Sequence, residues 1–253
     1  MMIFLKSFIA KILTNPIIGF FISKVYSDIL PFKCLKIATD SDLITNRTKA
    51  QIFWLIYESA EIKFIQKYFP IGLDTIELGS SLGVVSSFIR SKMSKESRLI
   101  CVEAFPDLCE LTIKNLQING AYENTTVLNS ALHYSDESTH IFFNPGESNT
   151  TGSISTDKIK ENSIKISKTS LRNVKEVSRI SEYILVMDIE GAEIEIILNE
   201  EESLIDCRHL FVELHQTTFD NQEYGVDDMI AILIKEHKFR LIDRNDNVCY
   251  FKK

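Results

Sequence analysis

The sequence predicts an α/β fold with a mostly parallel sheet, helices on both faces and a helical extension at the N-terminus. From residue 73 onwards, short apolar runs rich in β-formers alternate with runs of helical periodicity. Apolar runs separated by helices are typical of parallel strands that are buried on both faces. The last two runs are joined by residues 245–247, which favours an antiparallel hairpin at the sheet edge.

The elements follow from the same periodicity. Apolar runs predict strands over 73–78, 98–103, 125–132, 183–188 and 209–215. Helices are expected over 82–93 and 107–119, from near Glu193, and over 226–238, before a closing pair of strands at 239–244 and 247–253. Residues 135–170 are polar, which predicts either a binding loop or plain surface, with short strands at 139–143 and 163–167.

Residues 1–70 have helical periodicity, and the pattern over 51–69 predicts one helix that stops at Pro70. We therefore expect an extension over 1–70 and one domain over 71–253. Lysines interrupt the apolar start too often for a membrane-spanning helix. Two alternatives remain for residues 1–30, namely amphipathic helices that cap the domain or a peripheral membrane contact. The contact would use the apolar side chains of Phe4, Phe8, Ile12, Phe20 and Phe21.

Composition narrows the class of protein. The chain has 253 residues and a net charge of −7, which argues against a nucleic-acid partner because phosphate backbones require clustered Lys and Arg. Its five cysteines are scattered and lack metal-ligand spacing, so neither a zinc site nor a disulfide framework is predicted. A reducing, cytoplasmic location follows, with the inner membrane surface as an alternative.

Polar residues gather where the predicted strands end, and ligands of open α/β sheets bind outside these carboxyl ends. The expected cofactor contacts are Glu77, Gly79, Ser80, Ser81 and Gly83; Glu103, Ala104 and Phe105; Ser130 and Ala131; and Asp188. Glu190 and His215 stand at the same edge. A nicotinamide fingerprint would place glycines at 79, 81 and 84, but Ser81 and Val84 occupy two of these positions. The glycines at 79 and 83 also fit a plain tight turn.

Three carboxylates between 188 and 193 are the most specific feature. Asp188, Glu190 and Glu193 crowd the end of one strand, and such crowding is favoured where a site needs a base or binds a cation. Glu103 at the end of the neighbouring strand is suited to accept hydrogen bonds from ribose hydroxyls. The alternative is that Glu103 is a surface glutamate at a strand end with no role in binding.

The segments 74–88, 101–119, 127–132, 185–193 and 210–215 resemble FkbM-type methyltransferases, which are class I enzymes that use S-adenosylmethionine. The resemblance covers about residues 70–250 and implies a Rossmann-like sheet of seven strands with a reversed hairpin. It implies cofactor contacts by Glu77, Gly79, Gly83, Glu103, Ser130 and Ala131, and a distinctive block at Asp188, Glu190 and Glu193. It also implies O-methylation of a sugar, glycolipid or secondary metabolite as the activity.

A hydroxyl acceptor needs a general base, and Asp188 and His215 are the candidates, with Glu190 beside them. His215 is favoured by the ordinary pKa of imidazole. No complete metal-ligand set is visible, although a divalent ion held by Asp188 and Glu190 stays an alternative. Two rival functions are a nicotinamide oxidoreductase and a non-catalytic scaffold with a methyltransferase-like fold. The sequence identifies neither the acceptor nor the oligomeric state.

Overall fold

A computed structural model describes residues 10–134, 140–145, 152–155, 161 and 163–253. Its helices are α1 (Pro16–Val25), α2 (Asn46–Phe53), α3 (Ser59–Tyr68), α4 (Val84–Arg90), α5 (Pro106–Ile118), α6 (Leu171–Ser178), α7 (Glu193–Asn199), α8 (Glu201–Ile205) and α9 (Val226–Lys235). Its strands are β1 (Ile29–Phe32), β2 (Leu35–Ala38), β3 (Asp74–Leu78), β4 (Leu99–Glu103), β5 (Thr125–Asn129), β6 (Ala131–Leu132), β7 (His140–Pro145), β8 (Gly152–Ser155), β9 (Ile164–Thr169), β10 (Tyr183–Met187), β11 (Cys207–Glu213), β12 (Thr217–Phe219), β13 (Gln222–Tyr224), β14 (Arg240–Asn245) and β15 (Val248–Lys252).

The central sheet has seven strands in the order β14-β15-β11-β10-β3-β4-β5. Strands β3, β4, β5, β10 and β11 are parallel, whereas β15 pairs antiparallel with β11 and with β14. The predicted fold class and the reversed hairpin are therefore confirmed. The order reverses between β3 and β10, so the ends of these two strands form the switch point where such folds bind ligands.

Strand β10 shows why the sheet is buried on both faces. All five of its residues are buried. Ile184 and Val186 belong to the core on one face, and Leu185 and Met187 to the core on the other. Because side chains alternate along a strand, an uninterrupted apolar run supplies both cores at once.

A second sheet covers one end of the first, in the order β6-β9-β7-β8. Strands β7 and β9 correspond to the short strands expected at 139–143 and 163–167, and they pair antiparallel. The strand expected over 125–132 is split at Ser130, whose N–H donates to the Glu103 carbonyl while β6 leaves the central sheet to pair with β9. Residues 135–139, 146–151, 156–160 and 162 of the polar segment lie outside the described residues.

The extension is not entirely helical, and this part of the prediction is wrong. Residues 29–38 form the antiparallel hairpin β1–β2, and the single helix expected over 51–69 is divided into α2 and α3. Leu55 and Glu58 adopt left-handed backbone conformations between the two helices, with φ of 57° and 44°. Apolar periodicity continues across this break, because both helices pack on the same core, and so it does not reveal it.

The described part of the extension packs on the sheet domain. The Ala38 N–H donates to the buried Asn115 side chain at 2.7 Å. Leu30 and Phe32 share a core with Phe88 of α4. The boundary between 1–70 and 71–253 stays a prediction. Within the described residues, no helix is long and apolar enough to cross a bilayer.

Candidate active site

The turn after β3 forms the floor of a cavity at the carboxyl ends of the strands. Gly79 has a φ of +87°, and a Cβ there would lie 1.8 Å from the carbonyl oxygen of Asp188. The Gly79 N–H donates to the Val102 carbonyl at 2.9 Å, and the Asp188 N–H donates to the Leu78 carbonyl at 3.0 Å. Glycine at 79 is therefore required because the turns that follow β3 and β10 touch each other.

Glu103, at the end of β4, links two neighbouring turns. One of its carboxylate oxygens accepts from the Ser81 N–H at 2.8 Å and the other from the Phe105 N–H at 2.9 Å. Burial raises the pKa of Glu103, while these backbone hydrogen bonds act in the opposite direction. Each oxygen keeps a second lone-pair site, so the fixed carboxylate can still accept from ligand hydroxyls.

The cavity above this turn has a volume of about 260 Å³. Seven of the eleven residues predicted to contact a cofactor line it, namely Gly79, Ser81, Glu103, Ala104, Ser130, Ala131 and Asp188. Glu190, predicted as catalytic, also lines it. The strand-end rule therefore brought together residues that are far apart in the sequence.

The other four predicted cofactor contacts do not line the cavity, and their contact with the cofactor stays a prediction. Glu77 is buried under α4, where one oxygen accepts from the Cys101 thiol at 3.1 Å and burial raises its pKa to about 7. Ser80 lies 3.3 Å from the Thr112 hydroxyl, and Gly83 packs against Thr112 of α5. Phe105 is a core residue.

Sequence reasoning missed the residues that close the cavity from outside the central sheet. Phe143 of β7 reaches the cavity and stacks on Phe105, with ring centroids 5.1 Å apart. Tyr57 and Glu58 come from the break between α2 and α3. The remaining missed residues are Val102, Leu132, Ile189 and Ala192. The polar segment at 135–170 signalled a binding loop, whereas the extension carried no chemical signature.

The far side of the cavity is acidic. Oxygens of Glu58, Asp188 and Glu213 lie within 4.8 Å of one another. One oxygen of Asp188 is buried and has no hydrogen-bond partner among the described residues. Burial, followed by the charges of Glu58 and Glu213, raises the pKa of Asp188 well above its usual range. Burial and the charges of Glu213 and Glu190 raise the pKa of Glu58 to about 7.

Glu193 holds the acidic turn in place. Its two oxygens accept from the N–H groups of Ile189 and Gly191, both at 3.0 Å, and the side chain is fully buried. His215 places Nδ1 3.1 Å from a Glu193 oxygen and Nε2 3.8 Å from Glu190. The hydrogen bond to Glu193 raises the pKa of His215 to about 9. The imidazole is therefore protonated at neutral pH, unlike the ordinary histidine that the sequence analysis assumed.

Comparison with known families identifies the architecture. Residues 76–241 match the family described as methyltransferase FkbM domain, which is more than half of the chain. The chain belongs to the FkbM methyltransferase family. This confirms the resemblance that the motifs indicated, and it makes the protein an S-adenosylmethionine-dependent methyltransferase. It also favours a methyl donor over the nicotinamide alternative.

Solved structures with similar folds include three methyltransferases. A candidate tRNA (m1A22) methyltransferase from Streptococcus pneumoniae, in complex with S-adenosyl-L-methionine, is 12% identical with a TM-score of 0.46, covering 77% of this chain and 72% of its own. A candidate RNA methyltransferase from Pyrococcus horikoshii is 13% identical with a TM-score of 0.45, and the match covers 93% of this chain and 96% of that protein. A methyltransferase from Geobacter sulfurreducens is 13% identical with a TM-score of 0.40, and the match covers 80% of this chain and 78% of that protein. No curated protein matches this chain.

The cavity fits S-adenosylmethionine, the cofactor of the family. Glu103 offers acceptor sites for the two ribose hydroxyls, since each oxygen already holds one backbone N–H and has room for another donor. Residues with small side chains leave space along one wall, namely Gly79, Ser81, Ala104, Ser130 and Ala131. Phe143 and Leu132 provide an apolar surface suited to a purine.

Proposed function

We propose that this protein methylates a hydroxyl oxygen of a sugar in a glycan, a glycolipid or a secondary metabolite. The observation that carries the proposal is Asp188, a carboxylate on the cavity wall with one buried, unpartnered oxygen. Its raised pKa makes it a stronger proton acceptor than an exposed carboxylate. The surrounding carboxylates of Glu58 and Glu190 suit an acceptor that donates several hydroxyl hydrogen bonds.

S-adenosylmethionine supplies a methyl group that is already activated, so the protein has two tasks. It must align the acceptor oxygen with that methyl group, which is a positioning effect. It must also take up the hydroxyl proton as the new bond forms. Asp188 performs the second task in this proposal, while Glu103 fixes the sugar of the cofactor on the opposite side of the cavity.

His215 acts as a positioning residue in this scheme. Its protonated ring contributes a positive charge that lowers the pKa of Asp188 against the effect of the surrounding carboxylates. It is itself held by Glu193, which also fixes the turn that carries Asp188. This assignment replaces the sequence-based preference for His215 as the base, because an imidazole with a pKa of about 9 already carries its proton.

The test is methyl transfer from labelled S-adenosylmethionine to a panel of saccharides, lipid-linked glycans and small metabolites. We expect label in an O-methyl group of one sugar class. Asp188→Asn should lower turnover by about 10²–10⁴-fold, the usual contribution of a general base, with S-adenosylhomocysteine affinity retained. Asp220→Asn, an exposed aspartate, is the matched control. Label on nitrogen, label in nucleic acid only, or full turnover by Asp188→Asn would contradict the proposal.

We also propose that the extension contacts a membrane surface. Ile17, Phe21 and Val25 of α1 are 66%, 63% and 78% exposed, and Lys24 lies on the same helix. An amphipathic helix with exposed apolar side chains beside lysine suits the interface of an anionic bilayer. Phe4 and Phe8, expected to join this contact, lie outside the described residues.

Sedimentation with phosphatidylglycerol-containing vesicles tests this contact. Phe21→Ser combined with Val25→Ser should abolish co-sedimentation. Val177→Ser, which removes an apolar side chain that is 71% exposed on α6, should leave it unchanged. A wild-type protein that stays in the supernatant would overturn the membrane contact without affecting the methyltransferase assignment.

A further inference from the structure

A second cavity lies at the seam between the extension and the sheet. It has a volume of about 360 Å³ and shares Glu58 with the cofactor cavity. Glu61, on the first turn of α3, and Glu213, at the end of β11, also line it. Two segments that are distant in sequence therefore supply carboxylates to one open groove.

Two of these carboxylates, together with Asp188 of the cofactor cavity, have a geometry that fits a single ion. One oxygen each from Glu58, Asp188 and Glu213 lie within 4.8 Å of one another. Two oxygens that bind the same Ca²⁺ at about 2.4 Å are at most about 4.8 Å apart, so this separation is within the limit for shared ligands. Carboxylate oxygens are the ligands that hard divalent cations prefer.

Glu61 provides independent support. It is only 6% exposed. Within the described residues its carboxylate has no hydrogen bond or ion pair, although its oxygens are not among the fully buried atoms without a partner. A buried carboxylate without a partner is costly, and the charges of Asp188 and Glu58 add to the cost. The buried oxygen of Asp188 is likewise unpartnered in the described part of the chain. A cation in the cavity would offset both penalties.

The other carboxylate group near Asp188 is a weaker candidate. Glu193 and His215 also place an atom each within 4.8 Å of Asp188. Both Glu193 oxygens, however, already accept backbone N–H groups, and one of them also contacts His215. Glu193 is therefore committed to the turn. Glu213 has one oxygen engaged, which accepts from the Asn247 amide at 2.9 Å and lies 3.7 Å from His215 Nε2, and its other oxygen is left for an ion.

We propose that Glu58, Asp188 and Glu213, with Glu61 beside them, bind one divalent cation of the oxygen-preferring class, which comprises Mg²⁺, Mn²⁺ and Ca²⁺. His215, whose Nε2 lies 3.7 Å from a Glu213 oxygen, offsets part of the negative charge of this group. The ion would join the extension to the strand ends.

The experiment is a titration of the full chain, freed of metal by chelation, with Mn²⁺ or Ca²⁺, followed by calorimetry and, for Mn²⁺, by electron paramagnetic resonance. We expect one saturable site. Loss of an outer-shell partner already weakens metal sites by about 10–100-fold, so Glu58→Gln and Glu213→Gln should each weaken binding by at least about tenfold. Ion binding is measured without acceptor or cofactor, so the proposed contact between Glu58 and the acceptor does not affect the result. Glu223→Gln, an exposed glutamate, should bind like wild type.

Thermal unfolding separates ion binding from a folding defect. In chelator, Glu58→Gln and Glu61→Gln should unfold at a higher temperature than wild type, because each removes a buried like charge. Saturating Ca²⁺ or Mn²⁺ should raise the unfolding temperature of wild type by more than that of either variant. Absence of saturable binding, or equal binding by wild type and Glu58→Gln, overturns the cation site. Either result leaves cofactor binding and methyl transfer as separate questions.

Discussion

The two sides of the strand-end cavity satisfy their polar groups in opposite ways. On the side of β3 and β4, Glu103 is buried, and both of its oxygens accept backbone N–H groups. On the side of β10 and β11, Asp188 has a buried oxygen without a partner in the described residues. Glu58 and Glu213 surround Asp188 with further negative charge.

The difference separates a preformed binding surface from a chemically poised one. A carboxylate held by two backbone donors has a fixed orientation and can present its remaining lone pairs to a ligand. A carboxylate crowded by like charges has a raised pKa and gains free energy from a proton or a cation. We assign cofactor binding to the first side and proton uptake to the second.

The largest effect on stability is expected where the turn after β3 touches the turn after β10, because this contact joins the two sides of the cavity. Gly79→Ala places a Cβ 1.8 Å from the Asp188 carbonyl oxygen at a φ of +87°. We expect a loss of about 2–4 kcal/mol of unfolding free energy, measured by urea denaturation, from backbone strain and displacement of the turn.

Gly120→Ala is the matched control for Gly79→Ala. Gly120 also has a positive φ, of +61°, but no atom lies within 4 Å of its added Cβ. Gly120→Ala should lower the unfolding free energy by only about 1–2 kcal/mol, because only the left-handed backbone conformation opposes the added Cβ. Equal losses at both positions would show that the two turns are not tightly coupled.

The acidic side should make stability depend on pH through Glu58. Its pKa is raised from 4.5 to about 7 in the folded protein, so folding is favoured while Glu58 is protonated. Stability should fall as pH rises from 4.5 to 7. In chelator, Glu58→Gln should lack this part of the fall. Its unfolding free energy should be higher than that of wild type by on the order of 2 kcal/mol at pH 8, and equal to it at pH 4.

Glu223→Gln, an exposed glutamate of β13, serves as the control for the pH series. Its urea denaturation curves should follow those of wild type at every pH. Parallel curves for Glu58→Gln and wild type between pH 4 and pH 8 would remove the distinction between the two sides, since Glu58 would then carry no excess charge penalty.

Tyr57→Phe should have the smallest effect. The Tyr57 hydroxyl lies 3.4 Å from the Ser81 hydroxyl, which is a long and weak contact at the border of the two sides. We expect S-adenosylhomocysteine affinity to change by less than about fivefold, corresponding to less than about 1 kcal/mol. A larger loss in a calorimetric titration would mean that Tyr57 orients the cofactor directly.

Site residues could be predicted from the sequence most reliably where polar side chains follow directly after a predicted strand. Glu103, Ser130 and Asp188 were placed at one cavity because parallel strands bring their carboxyl ends to the same edge. Strand positions were predictable for a related reason, since a strand such as β10 is apolar along its whole length.

Side-chain direction and long-range packing were not predictable. Glu77 lies in β3 at the position where its side chain points under α4, a detail that depends on the register with Cys101 of β4. The contribution of Glu58 depends on a left-handed residue between two helices. The high pKa of His215 depends on Glu193, whose backbone partners exist only in the folded turn.

The most direct test of the account is a calorimetric titration of the purified protein with S-adenosylhomocysteine. Wild type should bind at one saturable site. Glu103→Gln should bind about 10–100-fold more weakly, because a hydrogen bond to a charged acceptor contributes about 1.5–3 kcal/mol. Glu110→Gln, on the exposed face of α5, should bind like wild type. Absence of saturable binding by wild type, or equal affinity of a folded Glu103→Gln variant, would contradict the central claim that Glu103 holds the cofactor in this cavity.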